Sequence, residues 1–114
     1  MTAPHVDSGR PGVLIILTTA PDAGEGERIA GRLLEEGLIA CANIVPRVVS
    51  LYRWEGELRR DEEVLVIMKT TASRVSQLVT RTEELHPYEV PEVLVHEVAG
   101  GAARYLNWVE QQCR

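Results

Sequence analysis

The sequence is short of aromatic residues. It has no phenylalanine, and its two tryptophans and three tyrosines make up only 4 % of the 114 residues. A hydrophobic core must therefore be built from Val, Leu, Ile and Ala. A chain of this length buries roughly two thirds of its unfolded surface, which suits one domain that folds with little margin. Association with further copies would relieve such a thin core.

Runs of basic residues are also missing. The formal net charge is -5, and no basic run is longer than the pair Arg59-Arg60. Binding to a nucleic-acid backbone requires a basic patch, so we predict that nucleic acid is not a partner. Carboxylates attract cations instead.

Cysteine pairs and long apolar runs are absent as well. Cys41 and Cys113 lie far apart and form no Cys-x-x-Cys pair of the metal-binding or redox type. No apolar run approaches the roughly 20 residues that span a bilayer, and residues 1–11 lack the features of a secretory signal. We predict a disordered N-terminal tail at 1–11, one domain at 12–114, no membrane association and a cytoplasmic location.

Hydrophobic periodicity predicts four strands and three helices. Asp22 is suited to cap the first helix, with Glu25 completing a capping box, and Gly37 to end it. Ser73 is expected to cap the second helix, and Trp54-Glu55-Gly56-Glu57 is typical of a hairpin turn. The strands are expected at 13–17, 38–53, 64–68 and 92–98, and the helices at 22–37, 73–85 and 102–113, with a break at Gly100-Gly101.

This order of elements indicates a fold of the α+β class. Two βαβ units joined by a hairpin form a ferredoxin-like βαββαβ sandwich, here with an extended central hairpin and a C-terminal helix. Right-handed crossovers place both crossover helices on one face of the sheet. Only the terminal helix is then left to cover the apolar residues of the other face. Because large apolar patches are rare on soluble monomers, we predict an oligomer.

The segment His86-Pro87-Tyr88-Glu89-Val90-Pro91-Glu92 is the richest in chemistry. Each proline fixes its own φ and keeps the preceding residue out of the α region, so this connection between helix and strand is stiff. It carries an imidazole, a phenol and carboxylates, which are costly to bury without partners. His86 then either caps an element or interface, or contacts a metal ion or effector.

Other polar residues have less specific interpretations. An ion pair between Lys69 and Glu92 is expected at the strand ends, either as a structural contact or, if desolvated, as the mark of a functional cleft. Tyr52 and Trp54 suit interface anchors better than stacking platforms. Glu55, Glu57, Asp61, Glu62 and Glu63 predict an acidic, solvated hairpin. No serine has recognisable histidine and acid partners, so we predict that the chain is not an enzyme.

Several of these motifs together resemble the CutA divalent-ion-tolerance family over about residues 13 to 112. The residues that carry the resemblance are Thr19-Ala20-Pro21-Asp22, Leu38-Ile39-Ala40-Cys41-Ala42-Asn43, Ser50-Leu51-Tyr52-Arg53-Trp54-Glu55-Gly56, Lys69-Thr70-Thr71, the segment 86–92 and Tyr105-Leu106-Asn107-Trp108.

The resemblance implies a tight homotrimer with a role in divalent-metal tolerance, copper above all. It implies Cu(II) or another divalent cation as cofactor, with His86 as the metal ligand. Some members place a cysteine and a second histidine where this chain has Thr18 and Leu85. The fold is also similar to that of PII signalling proteins, which implies an alternative function as a small-molecule sensor. Its intersubunit cleft would be lined by Tyr52, Trp54, Lys69, Tyr88 and Glu92, beside His86. A purely structural trimer is the third hypothesis.

Overall fold

The computed structural model describes residues 6–8 and 12–114. The rest of the predicted N-terminal tail lies outside the described residues, so its disorder stays a prediction. The elements in chain order are β1 (Val6–Ser8), β2 (Val13–Ala20), α1 (Ala23–Glu35), β3 (Cys41–Trp54), β4 (Glu57–Thr71), α2 (Val75–Leu85), β5 (Leu94–Glu97), β6 (Gly100–Ala102) and α3 (Ala103–Gln112).

The central sheet has the strand order β3-β4-β2-β5, and all neighbouring strands are antiparallel. Along β2, alternate side chains are buried against α1 and α2, and the residues between them are only half-buried. The core between helices and sheet is aliphatic, with Ile16, Ile29, Leu33, Val66, Met68 and Leu78 at its centre. The predicted α+β fold class is confirmed.

α1 begins and ends where the sequence predicts. The Asp22 side chain accepts a hydrogen bond from the Glu25 amide at 2.8 Å, and Gly37 adopts φ +71° just after the helix. The capping box is only half formed, because the Glu25 carboxylate pairs with Arg28 at 2.9 Å. The same ion pair lowers the pKa of Glu25.

The main differences from the sequence prediction lie at three places. Ser73 does not cap α2: the helix begins at Val75 after Arg74 without a side-chain cap, and the Ser73 hydroxyl lies 3.1 Å from that of Thr71. β4 begins at Glu57, well before the predicted start, because its polar first half pairs through backbone hydrogen bonds with β3. The Gly100-Gly101 break forms β6, which pairs with β1.

The face of the sheet opposite α1 and α2 is only partly covered. α3 packs over one end of it through a second cluster made of Val13, Ala40, Leu106, Val109 and Cys113. Elsewhere on this face side chains such as Leu94 stay half exposed. No helix among residues 12–114 is long and apolar enough to cross a membrane.

The outer part of β3 and β4 extends away from the core as a hairpin. Its turn places Glu55 at φ +49° and Gly56 at φ +79°, the left-handed pair that matches the twist of a two-residue hairpin. A bulge between Val45 and Val48 interrupts the pairing, with Arg47 at φ +60°. The molecule measures 55 × 31 × 21 Å, and this elongation follows from the hairpin.

Candidate functional site

A cavity of about 680 Å³ lies between the hairpin and the segment 86–92. We call it the hairpin cavity. It is lined by Thr19, Ser50, Leu51, Tyr52, Trp54, Arg59, Asp61, Glu63, Pro87, Tyr88, Glu89, Val90 and Glu92.

Strand alternation builds one wall of the hairpin cavity. Successive side chains of a strand point to opposite faces, so alternate residues of β3 share a face. Ser50 pairs with Asp61 and Tyr52 with Arg59, which brings alternate residues of β4 to the same side. The aromatic and acidic side chains of the hairpin therefore face the stiff segment together.

Two tyrosine–carboxylate hydrogen bonds organise the hairpin cavity. The Tyr52 hydroxyl donates to Asp61, and the Tyr88 hydroxyl donates to Glu63 Oε2 at 2.5 Å. Burial, and then the bond to Glu63, raise the pKa of Tyr88. The bond to Asp61 raises the pKa of Tyr52. Both phenols therefore stay neutral donors at physiological pH.

Glu63 is the unusual member of this group because only 8 % of it is exposed. The expectation of a wholly solvated acidic hairpin is wrong at this position, because the segment 86–92 covers the base of the hairpin. Buried carboxylates are normally paired with a cation. Within residues 12–114 Glu63 has the Tyr88 hydroxyl as a partner but takes part in no ion pair, whereas neighbouring Glu62 pairs with Arg47.

His86 connects the segment 86–92 to the end of β2. Its Nδ1 accepts the Tyr88 backbone N–H at 3.1 Å, and its Nε2 lies 2.7 Å from the Thr19 carbonyl oxygen. Since a carbonyl only accepts, Nε2 carries the proton. The residue is 8 % exposed. Both ring nitrogens are engaged, so metal coordination by His86 requires one of these contacts to break.

Four of the six predicted site residues come together in the hairpin cavity: Tyr52, Trp54, Tyr88 and Glu92. His86 supports it without lining it. The expected ion pair between Lys69 and Glu92 is wrong for this structure, because the Lys69 ammonium donates to the Asn43 side chain instead. Lys69 lies six residues beyond Glu63 on β4, about 20 Å along the strand.

Sequence reasoning missed the contributions of Arg59, Asp61 and Glu63 to the same site. The signal that could have found them is their alternation along β4, which places Arg59, Asp61 and Glu63 opposite Tyr52, Ser50 and Val48 of β3. The register of β4 against β3 depends on the position and type of the turn at Gly56.

Residues 12–114 contain no group of three or more His, Cys, Asp or Glu side chains placed to hold a metal ion. Thr18, where the resemblance places a cysteine in some family members, is fully buried, and its hydroxyl lies 3.4 Å from the Thr19 carbonyl oxygen. Cys41 contacts the Tyr105 hydroxyl at 3.5 Å, on another part of the molecule.

Several proteins named CutA are similar to this chain over nearly its whole length. A divalent-cation tolerance protein CutA from Thermus thermophilus is 42 % identical over 97 residues, which is 85 % of this chain and 94 % of that protein. One from Salmonella newport is 40 % identical over 108 residues, 95 % of this chain and 94 % of that protein. The solved structure of CutA from Synechococcus elongatus superimposes with a TM-score of 0.90 at 28 % identity, covering 96 % of each chain.

The family model described as "CutA1 divalent ion tolerance protein" matches residues 14–112, which include both walls of the hairpin cavity. The resemblance seen in the sequence motifs is thereby confirmed, and this chain belongs to the CutA1 divalent ion tolerance family.

Proposed function

We propose that this chain acts in divalent-cation tolerance by binding a divalent cation, with Cu(II) as the first candidate. Family membership supports a role connected with divalent cations. The observation that carries the proposal is the charge of the hairpin cavity, where four carboxylates are accompanied by a single guanidinium. Such a surface attracts cations.

The ligands come from more than one copy of the chain in this proposal. The residues described in a single copy do not bring three ligands together, and a stable transition-metal site generally needs more than one or two. His86 supplies an imidazole if its bond to Thr19 opens. Asp61 and Glu63 supply oxygens, which suit harder cations.

Exposed apolar side chains support a homotrimeric assembly. On the hairpin Leu51 is 75 % exposed and Leu58 is 79 % exposed, and each fully buried leucine contributes about 1.5–3 kcal/mol. The open face of the sheet adds Leu94. Large exposed apolar patches mark interaction surfaces, and the trimer stoichiometry itself comes from the resemblance.

Native mass spectrometry during a Cu(II) titration tests the metal function directly. We expect a trimer that takes up copper at low micromolar metal, with uptake lost in His86→Ala and retained in Glu62→Gln, an exposed carboxylate variant. A trimer that stays free of copper would contradict direct binding. Uptake that survives His86→Ala but not Glu63→Gln would move the site to the carboxylates.

A second candidate function is the sensing of a small molecule at the hairpin cavity. The supporting observation is its volume of about 680 Å³, far larger than an ion and within the range of about 300–1,000 Å³ typical of ligand pockets. A thermal-shift screen of metabolites tests it, since a ligand at 100 times its Kd adds about 2.7 kcal/mol. A flat screen would contradict it and favour a purely structural trimer.

We also propose a non-enzymatic role, because no nucleophile with a base and an orienting acid was found in the sequence. A cytoplasmic location stays a prediction from the sequence. One structural relative, the protein from Archaeoglobus fulgidus, is described as periplasmic.

A further inference from the structure

We propose that the hairpin cavity binds a small organic cation, an ammonium or quaternary ammonium group held between aromatic rings and carboxylates. The inference rests on the second proposed function, small-molecule sensing, and names the ligand class for it. It shares Asp61 and Glu63 with the proposed metal site, whereas His86, which does not line the cavity, belongs to the metal proposal alone.

The first argument is charge. Asp61, Glu63, Glu89 and Glu92 line the cavity, and Arg59 is the single basic residue among its lining side chains. Glu63 is buried and forms no ion pair with any residue in the described part of the chain. A carboxylate in that position gains from a cationic partner, and the cavity offers space for one.

The second argument is the aromatic content of the walls. The chain has only five aromatic residues of the Trp and Tyr types, and three of them, Tyr52, Trp54 and Tyr88, line this cavity. The faces of such rings attract cations, and cages of this composition recognise quaternary ammonium groups. An anionic ligand would meet the negative faces and the carboxylates together.

The third argument is the direction of the tyrosine hydroxyls. Both donate to carboxylates, Tyr52 to Asp61 and Tyr88 to Glu63. They are therefore occupied in holding the carboxylates in place, and the Arg59 guanidinium is the one charged donor left among the lining side chains. A ligand that brings its own positive charge or N–H donors complements this arrangement.

Isothermal titration calorimetry with a matched pair of probes tests the inference on the full chain. Choline is the cationic probe, and 3,3-dimethyl-1-butanol has nearly the same shape without the charge. We expect choline to bind at least about tenfold more tightly than the alcohol. Equal affinity for the two probes would overturn the assignment of a cationic ligand.

Charge-removing variants place the probe in the cavity. Glu63→Gln and Asp61→Asn keep the side-chain volume, and each is expected to weaken choline binding about tenfold. Glu62→Gln lies between them on β4, on the opposite face, and should leave affinity unchanged. Near-ultraviolet circular dichroism confirms that each variant is folded. Full affinity in both folded cavity variants would overturn the proposal.

The outcomes distinguish this inference from the two proposed functions, small-molecule sensing and copper binding. Binding of a neutral or anionic metabolite in the screen, without choline, leaves small-molecule sensing standing and overturns the cation class. No binding of any small molecule overturns both. The copper titration compares the wild-type chain with His86→Ala and contains no choline. Its result therefore does not depend on the choline measurement.

Discussion

At the scale of single residues, the hydrogen bond from Tyr88 to Glu63 is the contact whose loss should cost the most. Tyr88→Phe leaves a buried carboxylate without its donor, and we expect the free energy of unfolding to fall by about 1.5–3 kcal/mol. Tyr52→Phe removes the matching bond to exposed Asp61 and should cost much less. Urea denaturation at one protein concentration compares the two, and equal losses would contradict the burial argument.

Tyr105 gives a prediction for alkaline pH. Its hydrogen bond with Cys41, and then burial, raise the pKa of its phenol to about 12, against about 10 for a free tyrosine. The unfolded chain therefore loses this proton first, so stability should fall as pH rises from about 10 to 12. The phenolate absorbance of wild type and Tyr105→Phe measures this, and a Tyr105 transition near pH 10 would contradict it.

The residues of the site were only partly predictable. Tyr88 and Glu92 were predicted because two prolines mark the segment that carries them. Glu63 was assigned to solvent because its neighbours are charged, and its burial depends on how the segment 86–92 folds back over the hairpin. The predicted partner of Lys69 was wrong for a similar reason. The strand register, which the sequence does not specify, places the Asn43 side chain within hydrogen-bonding distance of Lys69.

At the scale of elements, alanine substitutions at two glycines near α1 should change the stability of the protein in opposite directions. Gly37 adopts φ +71°, and a Cβ there would lie 1.8 Å from the Arg114 carbonyl oxygen. Gly37→Ala should therefore cost more than about 1 kcal/mol. Gly31 lies inside the helix with no atom within 4 Å of an added Cβ, so Gly31→Ala should stabilise the protein by about 0.5–1 kcal/mol.

Thermal denaturation of both glycine variants checks this contrast. A loss of stability in Gly31→Ala, or none in Gly37→Ala, would mean that the space around these positions differs from the structure. The two variants add the same methyl group and leave the net charge unchanged, so each serves as the control for the other.

The existence and order of the main elements were predictable, and several of their boundaries were not. The buried runs of β2 and β4 are apolar, and Asp22 and Gly37 mark the ends of α1, so local chemistry sufficed there. The first half of β4 is polar and becomes a strand only by pairing with β3. Ser73 has the chemistry of a cap, but its hydroxyl is used by Thr71.

At the scale of the whole molecule, the exposed hairpin predicts how the assembly can be broken. Leu58→Glu places a charge on a side chain that is 79 % exposed in one chain, and in the proposed trimer that charge would be buried at high cost. We expect smaller species by size-exclusion chromatography with light scattering. Leu34→Glu, on the exposed side of α1, is the control and should leave the mass unchanged.

The number of copies in the assembly could not be predicted from the residues of one chain. The uncovered face of the sheet indicates association, but the number of copies depends on angles between subunits that no single chain contains. If Leu58→Glu keeps the wild-type mass, the hairpin does not lie in the interface, and the exposed leucines need another explanation.

The bulge at Val45 and Val48 gives the hairpin the mechanics of a lever arm. The seven residues from Val48 to Trp54 extend about 23 Å beyond it. A rotation of about 10° at the bulge would therefore displace the tip by about 4 Å while leaving the core of the subunit at rest. Because the same arm forms one wall of the cavity, any ligand that draws the two walls together converts a small local adjustment into a larger movement at the far end.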